Sequence, residues 1–163
     1  MAIRSGGGSQ VYSAKELRSA KLGSLQGYHT EATIDDNGYV TPDELNAEYD
    51  MTNLPDVWLA YVEAVNNGRM DYVVDRLLSK RFKEKYGEMA ARMKGFNTTN
   101  QITRSKIVNT SIDGDKASLA YTVGFVDDTD LRHKAEGYQD FVREGGEWKV
   151  ANQFFLYAVE PTW

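Results

Sequence analysis

Residues 137–155 read GYQDFVREGGEWKVANQFF, and this stretch decides the fold. Two runs rich in aromatic and β-branched residues flank Glu144-Gly145-Gly146-Glu147, where glycine supplies the positive φ that a tight turn between twisted antiparallel strands demands. The stretch is expected to be a β-hairpin. After the turn, Trp148, Val150, Phe154 and Leu156 fall on one face at period two, while Lys149 and Gln153 fall on the other. The first face belongs to a core. Asn152 interrupts it, and an inward amide needs hydrogen-bonding partners from the protein or from something bound.

Working outward, residues 101–112, 117–126 and 131–142 also read as strands, joined by Asp113-Gly114-Asp115 and Asp127-Asp128-Thr129-Asp130. With the last strand they make an antiparallel meander of at least four strands. In the second, Leu119, Tyr121, Val123 and Phe125 share one face against Ser118, Ala120, Thr122 and Gly124. Gly137 in the polar third strand predicts a bulge or bend that curves the sheet and gives it a concave side.

The middle of the chain reads as helix. Trp58, Tyr61, Val62 and Val65 recur at helical spacing between Asn53-Leu54-Pro55-Asp56 and Asn66-Asn67-Gly68. A third helical stretch starts near Asp71 with Val73, Val74, Leu77 and Leu78. The pattern resumes after Ser79 with Phe82, Tyr86, Met89 and Met93 and stops at Lys94-Gly95. Lys80, Arg81, Lys83 and Lys85 form a basic run diluted by Glu84 and Glu88, which reads as a solvated helix face in preference to an anion site. Helices first and a curved antiparallel sheet afterwards make an α+β arrangement, with Trp58, Val62, Leu119, Val123, Trp148 and Phe154 expected in one core.

Residues 1–12 read as a flexible leader or linker, being glycine- and serine-rich without the apolar run of a signal peptide. Residues 13–53 read as a helical extension with a turn: Ser13 caps a helix over 14–25, stopped by Gly27. Residues 33–45, TIDDNGYVTPDEL, match part of a calcium loop, with Asp35, Asn37 and Glu44 in ligand positions, but Thr33 stands where the first aspartate belongs. Local backbone chemistry explains the same residues: Asn37-Gly38 makes a turn, Thr41 caps a helix, Pro42 takes its first position and Glu44 completes a capping box. No metal is assigned. Residues 54–163 are read as the α+β domain.

A net charge of -5 gives no long-range attraction to phosphate backbones, and no local basic patch is dense enough to replace it, so no nucleic-acid partner is expected. The absence of cysteine removes disulfides, thiolate nucleophiles and cysteine zinc sites, and two histidines far apart remove most other transition-metal arrangements. No cofactor is implied. A composition near globular averages argues against a membrane span in this segment.

This order of elements resembles the cone-shaped fold of the nuclear transport factor 2-like (SnoaL/ketosteroid-isomerase-like) superfamily. The carriers are VWLAYVEAVNNG at 57–68, similar to its first long helix, and REGGEWKV at 143–150, similar to its last hairpin. YVEAVNNGRMDYVVDRLLSKRFKEKY, followed by a polar meander, is similar to the C-terminal extracytoplasmic domain of membrane-anchored zinc-ribbon proteins of Gram-positive bacteria, the teicoplanin-resistance-associated type. That resemblance implies a non-catalytic binding or structural domain of the cell envelope. It would be extracytoplasmic, anchored through sequence not present here, and would have a protein or envelope partner. Departures from the type are the absence of a zinc ribbon and of a transmembrane segment. A small hydrophobic ligand and a dimer are compatible with it.

The superfamily also includes ketosteroid isomerases and polyketide cyclases, which use a pocket carboxylate as proton acceptor beside a tyrosine or a protonated acid. Asp140, Tyr121 and Asn152, with Trp58 and Tyr61 from the helix, are the candidate pocket lining here. Periodicity does not decide whether Asp140 or its neighbours Gln139 and Phe141 point inward. The two histidines, His29 and His133, sit in no triad spacing, so no catalytic residue is assigned.

Overall fold

A computed structural model describes residues 27–46, 48–96 and 98–151. In chain order these form β1 (Thr33–Ile34), β2 (Val40–Thr41), α1 (Leu54–Asn66), α2 (Met70–Tyr72) running into a π turn (Val73–Leu77), α3 (Lys80–Lys85), α4 (Gly87–Met93), β3 (Gln101–Asp113), β4 (Lys116–Val126), β5 (Arg132–Glu144) and β6 (Glu147–Val150). The six strands make one antiparallel sheet in sequential order. It curls into a half-barrel around α1, the cone-like α+β fold of the nuclear transport factor 2 type. The expected helix at 14–25 and Phe154 lie outside the described residues.

Helix α1 is apolar nearly all round, and every residue from Asp56 to Val65 is buried, because the sheet wraps one side and the 27–53 segment covers the other. Its N-terminus is fastened by Asp56. That carboxylate, fully buried, accepts from His29 N (2.8 Å), Thr30 N (3.3 Å), Thr30 Oγ1 (2.5 Å), Asp50 N (2.9 Å) and Asn53 Nδ2 (3.0 Å). The helix ends where Gly68 adopts φ 69°.

Beyond α2 the chain widens, with Leu78 N donating to Val73 O at 2.8 Å, five residues apart. The extra residue places Val73, Val74, Leu77 and Leu78 all in the core and delivers Ser79 to β6, where Ser79 N bonds Val150 O at 2.9 Å. Ser79 also caps α3, accepting from Phe82 N at 3.1 Å. The single helix expected after Ser79 is divided in two at Tyr86-Gly87.

Two expectations are corrected. No helix starts at Pro42; Val40 and Thr41 instead pair with Ile34 and Thr33, and Val40 joins β3 at Ser105. The reason is the Asp35 carboxylate, which accepts from Asn37 N and Tyr39 N and closes the turn, with Gly38 at φ 85°, as a hairpin. The second concerns the bulge expected at Gly137. Its strand pairs with β4 without interruption from Lys116↔Val142 to Val126↔Arg132, and the bulges lie in β3 instead, at Ile102/Arg104 and Ile107/Asn109. Gly137 serves close packing: a Cβ there would sit 2.6 Å from the Tyr121 hydroxyl.

Candidate functional site

The register of β3, β4 and β5 sorts the candidate residues. Tyr121 pairs with Gly137 and Leu119 with Gln139, so Tyr121, Leu119, Val123, Gln139 and Phe141 share the face turned toward α1, and all are buried. Trp58 and Tyr61 meet that face from α1. Trp58 stacks on Tyr121 with centroids 4.7 Å apart and planes at 23°, and meets Tyr61 edge-on at 6.1 Å. Burial pushes the Tyr121 hydroxyl well above the usual phenol range, so it is a neutral hydroxyl at any physiological pH. Three of the five candidates thus converge, as a buried aromatic cluster.

Asp140 does not join them. It alternates with buried Gln139 and pairs with Ser118, which places it on the face opposite Tyr121. Asn152 lies outside the described residues. Among the described residues, the face of β3–β5 that carries Tyr121 bears no aspartate or glutamate.

The chain also forms a cleft of about 870 Å³, between α3–α4 and the end of the sheet where β3, β4 and β5 meet. Phe82, Tyr86 and Met89 from the helices and Ala117, Phe141 and Val142 from the strands give it an apolar lining. Tyr86 and Met89 are 41% and 45% exposed and lie together in this lining. Phe82 and Tyr86, one turn apart across the α3–α4 junction, hold each other at 4.9 Å. Charge is arranged around this lining. Arg81 and Lys85, also one turn apart, line the helical side, while Lys116, Asp113 and Asp140 line the sheet side. Lys116 and Asp113 are a cross-strand pair that offset one another. The aromatic centre is a separate place: Tyr121 lies four residues along β4 from Ala117, about 13 Å at strand rise.

The sequence matches no protein-family profile and no curated protein. Solved structures do resemble the fold. A SEC-C motif containing protein from Rhodopseudomonas palustris superposes with a TM-score of 0.50 at 11% identity, over 63% of this chain and 78% of that one. TsrD from Streptomyces laurentii gives 0.40 at 14% identity over 64% and 90%. An M. tuberculosis LEH-like epoxide hydrolase gives 0.35 at 17% identity over 63% and 79%. At these identities the likeness is one of fold.

The cleft residues Arg81, Phe82, Lys85, Tyr86 and Met89 were legible in sequence only as a packing stripe and a solvated basic face. The available signal was their superposition: apolar positions 82, 86 and 89 interleave with cations at 81 and 85 over two short consecutive helices, and both sets border the same space.

A carboxyl group with a raised pKa does exist, on α1. Glu63 is buried and pushed up to about 7 by loss of solvent, against the lowering effect of its bonds from Tyr49 and from Asp43 N (2.7 Å). Its two oxygens are both engaged by these donors, so it fastens Asp43 and Tyr49 to the helix.

Proposed function

We propose that this chain is a non-catalytic binding domain of a bacterial cell-envelope protein, extracytoplasmic and anchored through further sequence, and that it engages its partner or ligand at the α3–α4 cleft. The observation that carries the binding reading is the division of the cone. At its centre Trp58, Tyr61 and Tyr121 are buried and packed ring against ring, and the cleft offers an accessible apolar surface beside Tyr86 and Met89. An isomerase or cyclase of this fold needs a carboxylate facing its tyrosine, and Asp140 lies on the other side of the sheet from Tyr121. The envelope assignment rests on the resemblance of residues 61–86 to the Gram-positive domain described above.

The test uses the neutral fluorophore N-phenylnaphthylamine. Binding is expected as a fluorescence gain that Met89→Lys abolishes while the melting temperature stays within a few degrees of wild type. A probe that fails to bind, or binds Met89→Lys equally well, would remove the cleft from the reading. Turnover of an unsaturated ketosteroid that falls in Tyr121→Phe and Asp140→Asn would replace it with the enzyme.

A further inference from the structure

Resting on the cleft as the binding site, we infer that its ligand is an anionic amphiphile: an apolar body on Phe82, Tyr86 and Met89 and a single negative head group held by Arg81 and Lys85. The inference starts from the charge the cleft keeps unspent. Arg81 and Lys85 are one helical turn apart and both line the cleft. Neither makes an ion pair among the described residues, in contrast to Lys80, which lies 4.0 Å from Glu84, Arg76, which pairs with Glu147 at 2.8 Å, and Lys94, which pairs with Asp75 at 2.9 Å. Lys85 lies 5.3 Å from the centre of the Tyr86 ring, which keeps its ammonium beside the apolar lining.

Opposing charges are few. Glu84 and Glu88 flank Lys85 in sequence but are not part of the cleft lining, and Glu144 of β5 is directed to the N-terminus of α3, where it accepts from Lys80 N at 2.9 Å and Arg81 N at 3.5 Å. On the sheet side Lys116 offsets Asp113, which leaves Asp140 as the one acid facing two cations. Three basic and two acidic groups therefore line a cleft in a chain whose net charge is -5, so the lining carries a formal excess of positive charge where the whole molecule carries a negative one. Two adjacent cations next to an exposed aromatic and methionine surface match a carboxylate or phosphate head attached to an alkyl or aryl body. A cationic head in the same orientation would meet Arg81 and Lys85.

The experiment displaces N-phenylnaphthylamine with decanoate, decanol and decyltrimethylammonium, each below its micelle concentration, on wild type and on the Arg81→Glu/Lys85→Glu variant. Decanoate is expected to displace the probe about tenfold more effectively than decyltrimethylammonium, the scale of two partly exposed charge contacts. The order should reverse in the double variant, with decanol unchanged. As both side chains are exposed the variant should fold, and a second measurement covers the case where it does not: raising ionic strength on wild type should weaken decanoate and leave decanol alone. Equal displacement by all three compounds would overturn the charge assignment while leaving the cleft as a binding site. A decanoate preference insensitive to both salt and charge reversal would also overturn it. Displacement by none, with the probe itself unbound, would remove the cleft reading beneath it.

Discussion

The indole of Trp58 lies flat against the phenol of Tyr121, centroids 4.7 Å apart, and the hydroxyl end of that phenol occupies the space a side chain at Gly137 would fill. One glycine on β5 thereby sets how deeply the central aromatic pair can sit between helix and sheet. The requirement is one of space, since Gly137 pairs regularly with Tyr121 in an unbroken ladder.

Gly137→Ala should therefore destabilise the fold by about 1–3 kcal/mol, the usual range for overpacking a rigid core. The added Cβ would meet the hydroxyl oxygen at 2.6 Å and the ring carbon Cζ at 3.0 Å. Tyr121→Phe removes the closer of the two contacts, so the double variant should be more stable than the sum of the single losses predicts. Urea unfolding of the four proteins measures the coupling. Strict additivity would mean that the sheet moves to accept the methyl group and that packing against Tyr121 is not the reason for glycine.

The Asp56 carboxylate is the second fastening, joining 27–30 and 50–53 to the start of α1 through five donors. Asp56→Ala would leave the two buried Thr30 donors and the three part-buried ones without this acceptor and should cost at least about 3 kcal/mol, since each lost charged bond is worth more than a neutral one. Asp56→Asn keeps one acceptor and should cost less. Thermal melts rank the two, and amide exchange at His29, Thr30 and Asp50 should accelerate in both. Unchanged exchange at these amides would show that the segment is held by its apolar contacts instead.

How far the sequence carried this reading depends on the kind of signal. Alternation placed Trp148 and Val150 in the core, and helical spacing placed Trp58 and Val62 there, because burial on one face leaves a period that can be counted. Asp140 was undecidable, because its strand mixes polar and apolar residues on both faces near position 140 and only the pairing of Ser118 with Asp140 resolves the register. The Thr41-Pro42-Glu44 helix start was a sound local signal overridden by tertiary structure: the hairpin closed by Asp35 adds two strands to the sheet edge. The π turn at Val73–Leu77 leaves no trace in the pattern, since an inserted residue among consecutive apolar ones looks the same as an ordinary amphipathic helix. The cleft was hidden for a different reason. Its lining comes from helix and hairpin residues far apart in sequence, each unremarkable where it stands.

Arg76 and Glu147 tie the π turn to the β5–β6 hairpin by two parallel bonds of 2.8 and 3.1 Å, and Lys149 Nζ adds bonds to Glu147 at 3.3 Å and to the Arg76 carbonyl at 2.9 Å. The bond from Arg76 chiefly, with Lys149 helping, holds the Glu147 carboxyl down at about 2. Because the folded value is depressed, the stabilisation is present above the ordinary glutamate range and is lost as pH falls from about 4.5 toward 2. Both side chains are a third or more exposed, so solvent screening limits the pair to about 1 kcal/mol. Arg76→Met should lower stability at neutral pH by roughly that amount and make the acid limb between pH 4.5 and 2 shallower. An acid limb identical to wild type would assign the acid sensitivity to other carboxylates, such as Asp127, which its Thr129 and His133 bonds hold below the usual range.

Glu63 gives a dependence of opposite sign in a different window. Burial raises its carboxyl from 4.5 to about 7, so the folded chain holds a proton that the unfolded chain releases between those values. The linkage slope is then negative: the contribution is full below about 4.5 and is lost as pH rises through about 7. Glu63→Gln carries no titrating group and should flatten that fall, which urea unfolding at intervals from pH 5 to 8 would resolve. Tyr49→Phe should act the other way. The Tyr49 hydroxyl donates to Glu63 and is one of the two bonds that favour its charged form, so losing it should push the carboxyl higher still and extend the window of declining stability upward. A slope from pH 5 to 8 that is the same in wild type, Glu63→Gln and Tyr49→Phe would mean that Glu63 stays charged in the fold, its bonds from Tyr49 and Asp43 outweighing the loss of solvent.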